Sequence, residues 1–352
     1  MTNKVLICTQ TFPPRMGGME AVMYSLSEHF ASRGFDTVVA ADKPFNEKTN
    51  FRFRSFNVPR FLRAIYKKLV LSITENGADL AICDSWKSVS AVPNSAKKII
   101  VLAHGQEFLD TGRKTNRILA AMHRADLVVA SSQMTADLVT QIAPDTSVKV
   151  VYPTYMLDSP MNFELTENPN LEILTLCRID ERKGITQSLH ALEIAAKNGV
   201  NFRWNIAGSG PHLEKLKYEL EQSPIKDQVV LLGRVDDGMK GKLLSNSDLF
   251  LMPSYQVGKS LEGFGISYIE AASYGVPAIA GDVGGAPEAV INKQTGWCVD
   301  GRNSVEIAAA ISEAYNNPSL RKEMGFNAHK RFTDELEGSK AFDQLLALIE
   351  SL

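Results

Sequence analysis

The sequence predicts an α/β protein built from two Rossmann-like, doubly wound domains in tandem. Three observations carry this. Short apolar runs alternate with longer amphipathic ones, as a parallel sheet covered by helices requires. The alternation breaks at a polar, proline-containing stretch near the middle and then restarts. A chain of 352 residues is also long for one hydrophobic core, which makes two domains the default.

Val5–Thr9 reads as the first strand. The loop PPRMGGME leads from it into a helix from about Glu20 to Arg33. Thr37–Ala41, Leu80–Cys83, Ile99–Ala103 and Leu127–Ser131 read as further strands of a first domain, residues 1–160. Ser159–Asn170, with two prolines and many polar residues, reads as a linker. A second domain, residues 171–338, follows, with strands at Glu172–Cys177, Phe202–Ala207, Val229–Leu232, Leu249–Met252 and Pro277–Ala280. The final helix, about Ser339–Leu352, could pack on either domain, including back on the first. Ligands of such folds bind outside the carboxyl ends of the strands, so two facing domains would trap a ligand in the cleft between them.

The bulk composition is that of a soluble globular protein, 44% hydrophobic and 22% charged. A formal charge of −2 argues against a dedicated nucleic-acid binder. No run approaches the roughly eighteen apolar residues of a membrane span. The opening MTNKVLICTQ has no signal-peptide apolar region, so a cytoplasmic protein is expected. Cys8, Cys83, Cys177 and Cys298 sit singly among apolar residues with no metal-ligand spacing, and read as reduced thiols.

The most informative stretch is LEGFGISYIEAASYGVPAIAGDVGG, Leu261–Gly285. Loop, helix, strand and glycine turn follow in the order that a phosphate site at a helix N-terminus needs. Glycines let the backbone approach the phosphates, and the helix end offers free N–H groups and partial positive charge. Glu262 and Glu270 could then hold hydroxyl groups at either end of one ligand. They do not suit a glycosidase pair, which needs carboxyl groups roughly 5–9.5 Å apart; eight residues of helix rise about 12 Å.

Arg178 and Lys183, in CRIDERKG, follow the first strand of the second domain. Fixed cations there would stabilise charge building on a leaving diphosphate; pairing with Asp180 and Glu181 is the bland alternative. His104, followed by Gly105 at the carboxyl end of a strand, is placed either to touch a substrate or to be a satisfied core histidine. Gly17 and Gly18 occupy the position of a phosphate-binding turn but lack the GxGxxG spacing, and a plain turn is an equal reading. The turn Ala207-Gly208-Ser209-Gly210-Pro211 leaves the same choice. His29, His123, His190, His212 and His329 read as helix-surface positions. No D-x-D triplet occurs, and the adjacent Asp236-Asp237 reads as a helix start, so no bridging metal and no cofactor are expected.

From Lys48 to Thr74 there is no acidic residue. Lys48, Arg52, Arg54, Arg60, Arg63, Lys67 and Lys68 are mixed with Phe51, Phe53, Phe56, Phe61, Leu62, Ile65 and Tyr66. This region is expected either to lie on an anionic membrane, each cation contributing about 1 kcal/mol, or to be an ordinary solvated face over core aromatics.

These residues, in this order, resemble the retaining GT-B glycosyltransferases of family 4. The resemblance rests on Gly17-Gly18, the HG at His104, RIDERKG, the GSGP turn, MPS at Met252–Ser254 and EGFGISYIEA with its E-x7-E spacing. It implies two Rossmann-like domains facing across a cleft, with the acceptor on the first and a nucleotide-sugar on the second. It implies that Glu262 contacts donor-sugar hydroxyls, Glu270 holds the ribose, and Arg178 and Lys183 bind the diphosphate. Gly17 and Gly18 would lie near the phosphates, the segment Gly263, Phe264, Gly265, Ile266 would cover sugar and phosphates, and His104 would sit beside the sugar and be needed for turnover. Transfer would keep the anomeric configuration. The segment YQVGKSL between Ser254 and Glu262 is longer than in many members and is similar to mannosyltransferases acting on lipid or O-antigen acceptors. That leans the donor toward GDP-mannose, with UDP-linked hexoses open.

The expected function is hexosyl transfer to a glycan or lipid-linked acceptor in surface polysaccharide, lipopolysaccharide or glycolipid synthesis, by a protein peripheral at the inner face of the membrane. The rivals are a GT-B epimerase or phosphorylase, and a nucleotide-sugar-binding protein without transfer activity. A dehydrogenase would need GxGxxG after the first strand.

Overall fold

A computed structural model describes residues 4–15, 17–109, 112–157 and 170–352, the side chains of Arg60 and Arg113 excepted. The chain divides into two compact units, residues 1–156 with 337–352, and residues 157–336. The stretch read as a linker falls, except for Asn170, outside the described residues.

The first unit holds seven parallel strands: β1 (Lys4–Cys8), β2 (Asp36–Ala41), β3 (Arg52–Ser55), β4 (Leu80–Cys83), β5 (Lys98–Ala103), β6 (Leu127–Ala130) and β7 (Val148–Val150). Their order is β3-β2-β1-β4-β5-β6-β7. Successive strand residues point to opposite faces, and here both faces are covered, so the central strands read as unbroken apolar runs. Leu6 and Cys8 enter one core with Leu71, Ala81, Val101 and Val139. Val5 and Ile7 enter the other with Met23, Phe30 and Phe342. The helix Gly18–Ser32 covers that second face together with the last helix, Gly338–Glu350, which returns to this unit. Asp343 of that helix meets His29 at 2.9 Å.

The second unit is a six-stranded parallel sheet: β8 (Leu171–Leu176), β9 (Phe202–Ala207), β10 (Val229–Gly233), β11 (Leu249–Met252), β12 (Ala278–Gly281) and β13 (Gly296–Val299). The order is β10-β9-β8-β11-β12-β13. Trp204, Leu251, Ile279, Trp297 and Ile311 form the centre of its main core. In each sheet the strand order reverses once, between β1 and β4 and between β8 and β11. Loops leaving those paired strand ends diverge and leave a crevice, so binding residues are expected there.

Three strands were not anticipated from the sequence: β3, β7 and β13. Each lies at a sheet edge. An edge strand buries less, so RFRS and VKV lack the apolar run that marks the centre. Two histidine readings are corrected. His29 and His329 are buried, not on helix surfaces. The His329 Nδ1 lies 2.9 Å from the Ser273 carbonyl, and His29 faces the last helix.

Phe342→Ala should lower the stability of the first unit by about 3–5 kcal/mol, the usual cost of emptying a buried aromatic position. Urea unfolding checks this, and an unchanged first-unit midpoint would show that the last helix is not part of that core.

Candidate functional site

In the second unit, the chain leaves β8 through Cys177–Asp180, makes a short turn at Glu181–Lys183, and enters the helix Ile185–Lys197. It leaves β11 through Pro253–Gly265 into the helix Ile266–Ser273. The two loops meet at Glu262. Its Oε2 accepts from both the Lys183 ammonium and Arg182 Nη1, the latter at 2.8 Å. All three side chains are withdrawn from solvent, with Lys183 9% and Glu262 11% exposed. Burial alone would raise the Glu262 pKa, but the charges of Lys183 and then Arg182 outweigh it and hold the carboxyl down at about 2. Burial works against the Arg182 charge, and Glu262 and Asp180 more than restore it. Arg178 is exposed.

The Glu262 loop is fixed by backbone packing. Gly285 N–H donates to the Glu262 carbonyl at 2.9 Å. A Cβ at Gly284 would overlap that carbonyl, and one at Gly285 would overlap the Gly263 carbonyl, so only glycines let the two turns touch. Gly265 has φ +99, and a Cβ there would run into the Tyr268 ring. The Tyr268 hydroxyl donates to the Met252 carbonyl at 2.6 Å and pins the start of the helix to the end of β11. Phe264 is buried beneath the loop, and Ile266 opens the helix. Glycine at the cap offers no side-chain acceptor; the Tyr268 N–H donates to the Gly265 carbonyl at 2.9 Å, and the N–H groups ahead of it suit an anion. Gly184 caps the helix Ile185–Lys197 in the same way.

Glu270, one turn further along, is buried, and its Oε1 meets Lys240 Nζ at 3.0 Å. Lys240 also reaches Asp237 at 2.9 Å. It sits on the helix Asp237–Ser245, whose start is capped by Asp236 accepting from Met239 N–H. The GSGP turn hydrogen-bonds to the loop after β8, Ile179 N–H donating to the Ser209 carbonyl at 3.1 Å. It buttresses the segment that carries Arg178, Arg182 and Lys183. Sequence reasoning missed Arg182 and Lys240. Arg182 was visible as the neighbour of Lys183 in RIDERKG, but nothing in the spacing said which cations would face Glu262.

In the first unit, His104 stands at the end of β5, half-buried. Its Nε2 donates to the Asp84 carbonyl at 2.7 Å, and its backbone N–H donates to Glu107 at 2.9 Å. Asp84 follows β4 and is 2% exposed. Its Oδ2 accepts from Thr9 Oγ1, Gln10 N–H and both the N–H and Oγ1 of Thr11, and its Oδ1 accepts from Ser88 at 2.5 Å. That carboxylate ties the loops after β1 and β4 together at the strand-order reversal. Its signal in the sequence is an acid directly after a buried strand. Gly17 precedes the helix Gly18–Ser32 without a side-chain cap, and Glu20 in the first turn is buried, which raises its pKa against the pull of Arg15 at 3.1 Å.

The basic, acid-free tract is largely neutralised from outside its own span. Arg52 pairs with Asp36 at 2.9 Å, Arg54 with Glu75 at 2.8 Å, and Arg63 with Asp42 at 2.6 Å. Lys67 is buried on Asp42. Phe51 and Phe56 are core residues. Four of the seven cations of the tract thus pair with carboxylates outside it. What it does present is the helix Arg60–Thr74, whose Phe61, Leu62, Ile65, Tyr66, Leu69 and Ile73 face outward.

The sequence profile of the family described as "Glycosyl transferases group 1" matches residues 161–331, and that of "Glycosyltransferase Family 4" matches residues 16–158. A GDP-mannose-dependent α-(1-6)-phosphatidylinositol monomannoside mannosyltransferase of Mycolicibacterium smegmatis is 25% identical over 91% of each chain. The Mycobacterium tuberculosis protein of the same description is 35% identical over 43% of this chain, a match spanning 39% of its own length. Among solved structures, Anabaena HepE in complex with UDP superposes with a TM-score of 0.82 at 17% identity, over 99% of this chain and 100% of that one. Sucrose-phosphate synthase from Thermosynechococcus elongatus superposes with 0.83 at 18% identity, over 99% and 98%. At such identities these likenesses speak for the fold.

The depressed pKa of Glu262 sets the sign of an acid effect. An ordinary glutamate titrates near 4.5, and this one titrates near 2. Its stabilising contribution is therefore complete above about pH 4.5 and is lost as pH falls toward 2. Glu262→Gln should remove that component from the acid unfolding of the second unit. It should also cost about 3–5 kcal/mol at neutral pH by leaving two buried cations without their anion. An acid profile identical to wild type would show that the carboxylate does not titrate as a clamp.

Proposed function

Since the chain belongs to the GT-B glycosyltransferases of family 4, we propose that it moves a hexose from a nucleotide diphosphate sugar to a lipid-linked or glycan acceptor in surface polysaccharide or glycolipid synthesis. The convergence of Glu262, Lys183 and Arg182 at the β8/β11 reversal is the observation that carries this reading. The second unit takes the donor. Arg178, Lys183 and the uncapped helix starts at Gly184 and Gly265 receive the diphosphate, Glu262 the sugar hydroxyls and Glu270 the ribose. The segment Gly263–Ile266 closes over the sugar and phosphates. The first unit takes the acceptor. The family resemblance gives Gly17 and Gly18 a role toward the phosphates and His104 a role toward the sugar; the His104 Nε2 donates to the Asp84 carbonyl.

Transfer retains configuration. The acceptor oxygen bonds to the anomeric carbon on the face from which the carbon–phosphate-oxygen bond breaks, and the acceptor proton passes to the departing diphosphate. Charge grows on the diphosphate as that bond breaks, and fixed cations and N–H dipoles already aimed there lower the barrier. These side chains do the neutralising that a divalent ion does in other transferases. The donor is GDP-mannose on the strength of the long YQVGKSL loop and of a relative, matched over 91% of its length, that is described as GDP-mannose-dependent. A UDP-hexose is the alternative, favoured by the UDP held in structural neighbours.

Thermal unfolding with GDP, UDP and their sugars identifies the donor, since a ligand at a hundredfold excess over its dissociation constant stabilises by about 2.7 kcal/mol. Glu262→Ala and Lys183→Ala should each cut transfer by roughly two to three orders of magnitude in protein that remains folded. Full activity in both variants, or activity abolished by a chelator and restored by magnesium, overturns the assignment.

A further inference from the structure

The helix Arg60–Thr74 carries its apolar residues on the wrong side for a core. Phe61, Ile65, Leu69 and Ile73 recur every four residues and form one stripe, with Leu62 and Tyr66 beside it. Phe61 is 80% exposed, Ile65 68%, Leu69 61% and Ile73 74%. The opposite side buries Lys67 and Leu71. Single exposed apolar residues are ordinary, but six on one helix face are not.

Beside the N-terminal end of this stripe lies a cavity of about 680 Å³ within the first unit, and Phe61 lines it. Among the described residues its wall holds five cations and one carboxylate. Arg63 and Lys67 are taken up by that carboxylate, Asp42. Lys87, Lys114 and Arg117 are exposed and make no ion pair among the described residues. Lys87 and Arg117 both lie over the Trp86 ring, at 5.7 and 5.6 Å from its centroid. The cavity is therefore left with surplus positive charge.

We propose that this helix face inserts into the interfacial layer of an anionic bilayer while the adjoining cationic cavity takes a phosphate-bearing lipid headgroup. The charge pattern selects this occupant. A second copy of the chain would bring the same cations against themselves, whereas an acidic lipid surface complements them and offers acyl chains to the stripe. Phe61 belongs to both features, so headgroup and acyl region meet at one side chain. Taken with the reading of the first unit as the acceptor side, on which this step rests, it makes the acceptor a phosphate-containing lipid that is presented without leaving its membrane.

The test is co-sedimentation of the full chain with vesicles of phosphatidylcholine alone and of phosphatidylcholine mixed with phosphatidylglycerol. Binding should require the anionic lipid and weaken with salt. The double variant Ile65→Ser/Leu69→Ser should lose at least about tenfold in vesicle affinity, the least expected for withholding two large apolar side chains. Lys114→Ala/Arg117→Ala should lose several-fold and show a shallower salt dependence. Soluble glycerol phosphate should compete only weakly, because it lacks the acyl contribution. Nucleotide-induced thermal shifts should be unchanged in both variants, which also reports that they fold. The proposal is overturned by absent binding at low salt, by equal binding to neutral vesicles, by insensitivity to the Ile65/Leu69 change, or by a dimer that this change dissociates. A nucleotide shift without vesicle binding defeats this proposal alone; vesicle binding without any nucleotide shift defeats the glycosyltransferase reading.

Discussion

One carboxylate oxygen shared by two cations organises the second unit's crevice. The loops after β8 and β11 have little regular structure of their own. A backbone bond from Tyr255 N–H to the Arg182 carbonyl, at 2.9 Å, joins them, and the Glu262 contact with Lys183 and Arg182 adds the side-chain tie. Because the three groups are nearly closed off from water, none can be withdrawn without leaving an uncompensated buried charge. The glycine turn at Gly284-Gly285 then holds the Glu262 backbone from the far side. Arg182 also approaches Asp180 at 3.6 Å, so the cluster is close to neutral within itself, and Arg178 is the cation left facing solvent.

The first unit solves the same problem with hydrogen bonds instead of ion pairs. Asp84 gathers donors from Thr9, Gln10, Thr11 and Ser88, and its carbonyl orients His104. In both sheets an acid on a loop that leaves a strand at the order reversal gathers donors from the neighbouring loop. Geometry there is set by charge and hydrogen bonding, and packing sets it elsewhere.

The sequence made the central strands and the second unit's glutamates legible for one reason: both are local. A buried parallel strand is a contiguous apolar run, and the GFG turn with its flanking glutamates lies within a dozen residues. What escaped was non-local. The edge strands β3, β7 and β13 earn their place through one neighbour only. Arg182 and Lys240 became site residues because of partners 80 and 30 positions away. Asp84 draws its donors from a loop more than 70 positions earlier. His29 and His329 looked like surface residues because the elements that cover them, around Asp343 and Ser273, come from distant sequence.

The tract from Lys48 to Thr74 shows how far this non-locality reaches into electrostatics. Seven cations without an acid look like a basic surface when read along the chain. In three dimensions Asp36, Asp42 and Glu75, all outside the tract, pair with four of them. Interactions between exposed charges are screened beyond about 8–10 Å at ordinary salt, so a field is set by spatial neighbours and not by sequence neighbours. The positive charge still available to a partner lies around Trp86, on Lys87, Lys114 and Arg117, which the sequence scatters over thirty residues. Composition along a segment therefore misreported charge, because ion pairs are not local.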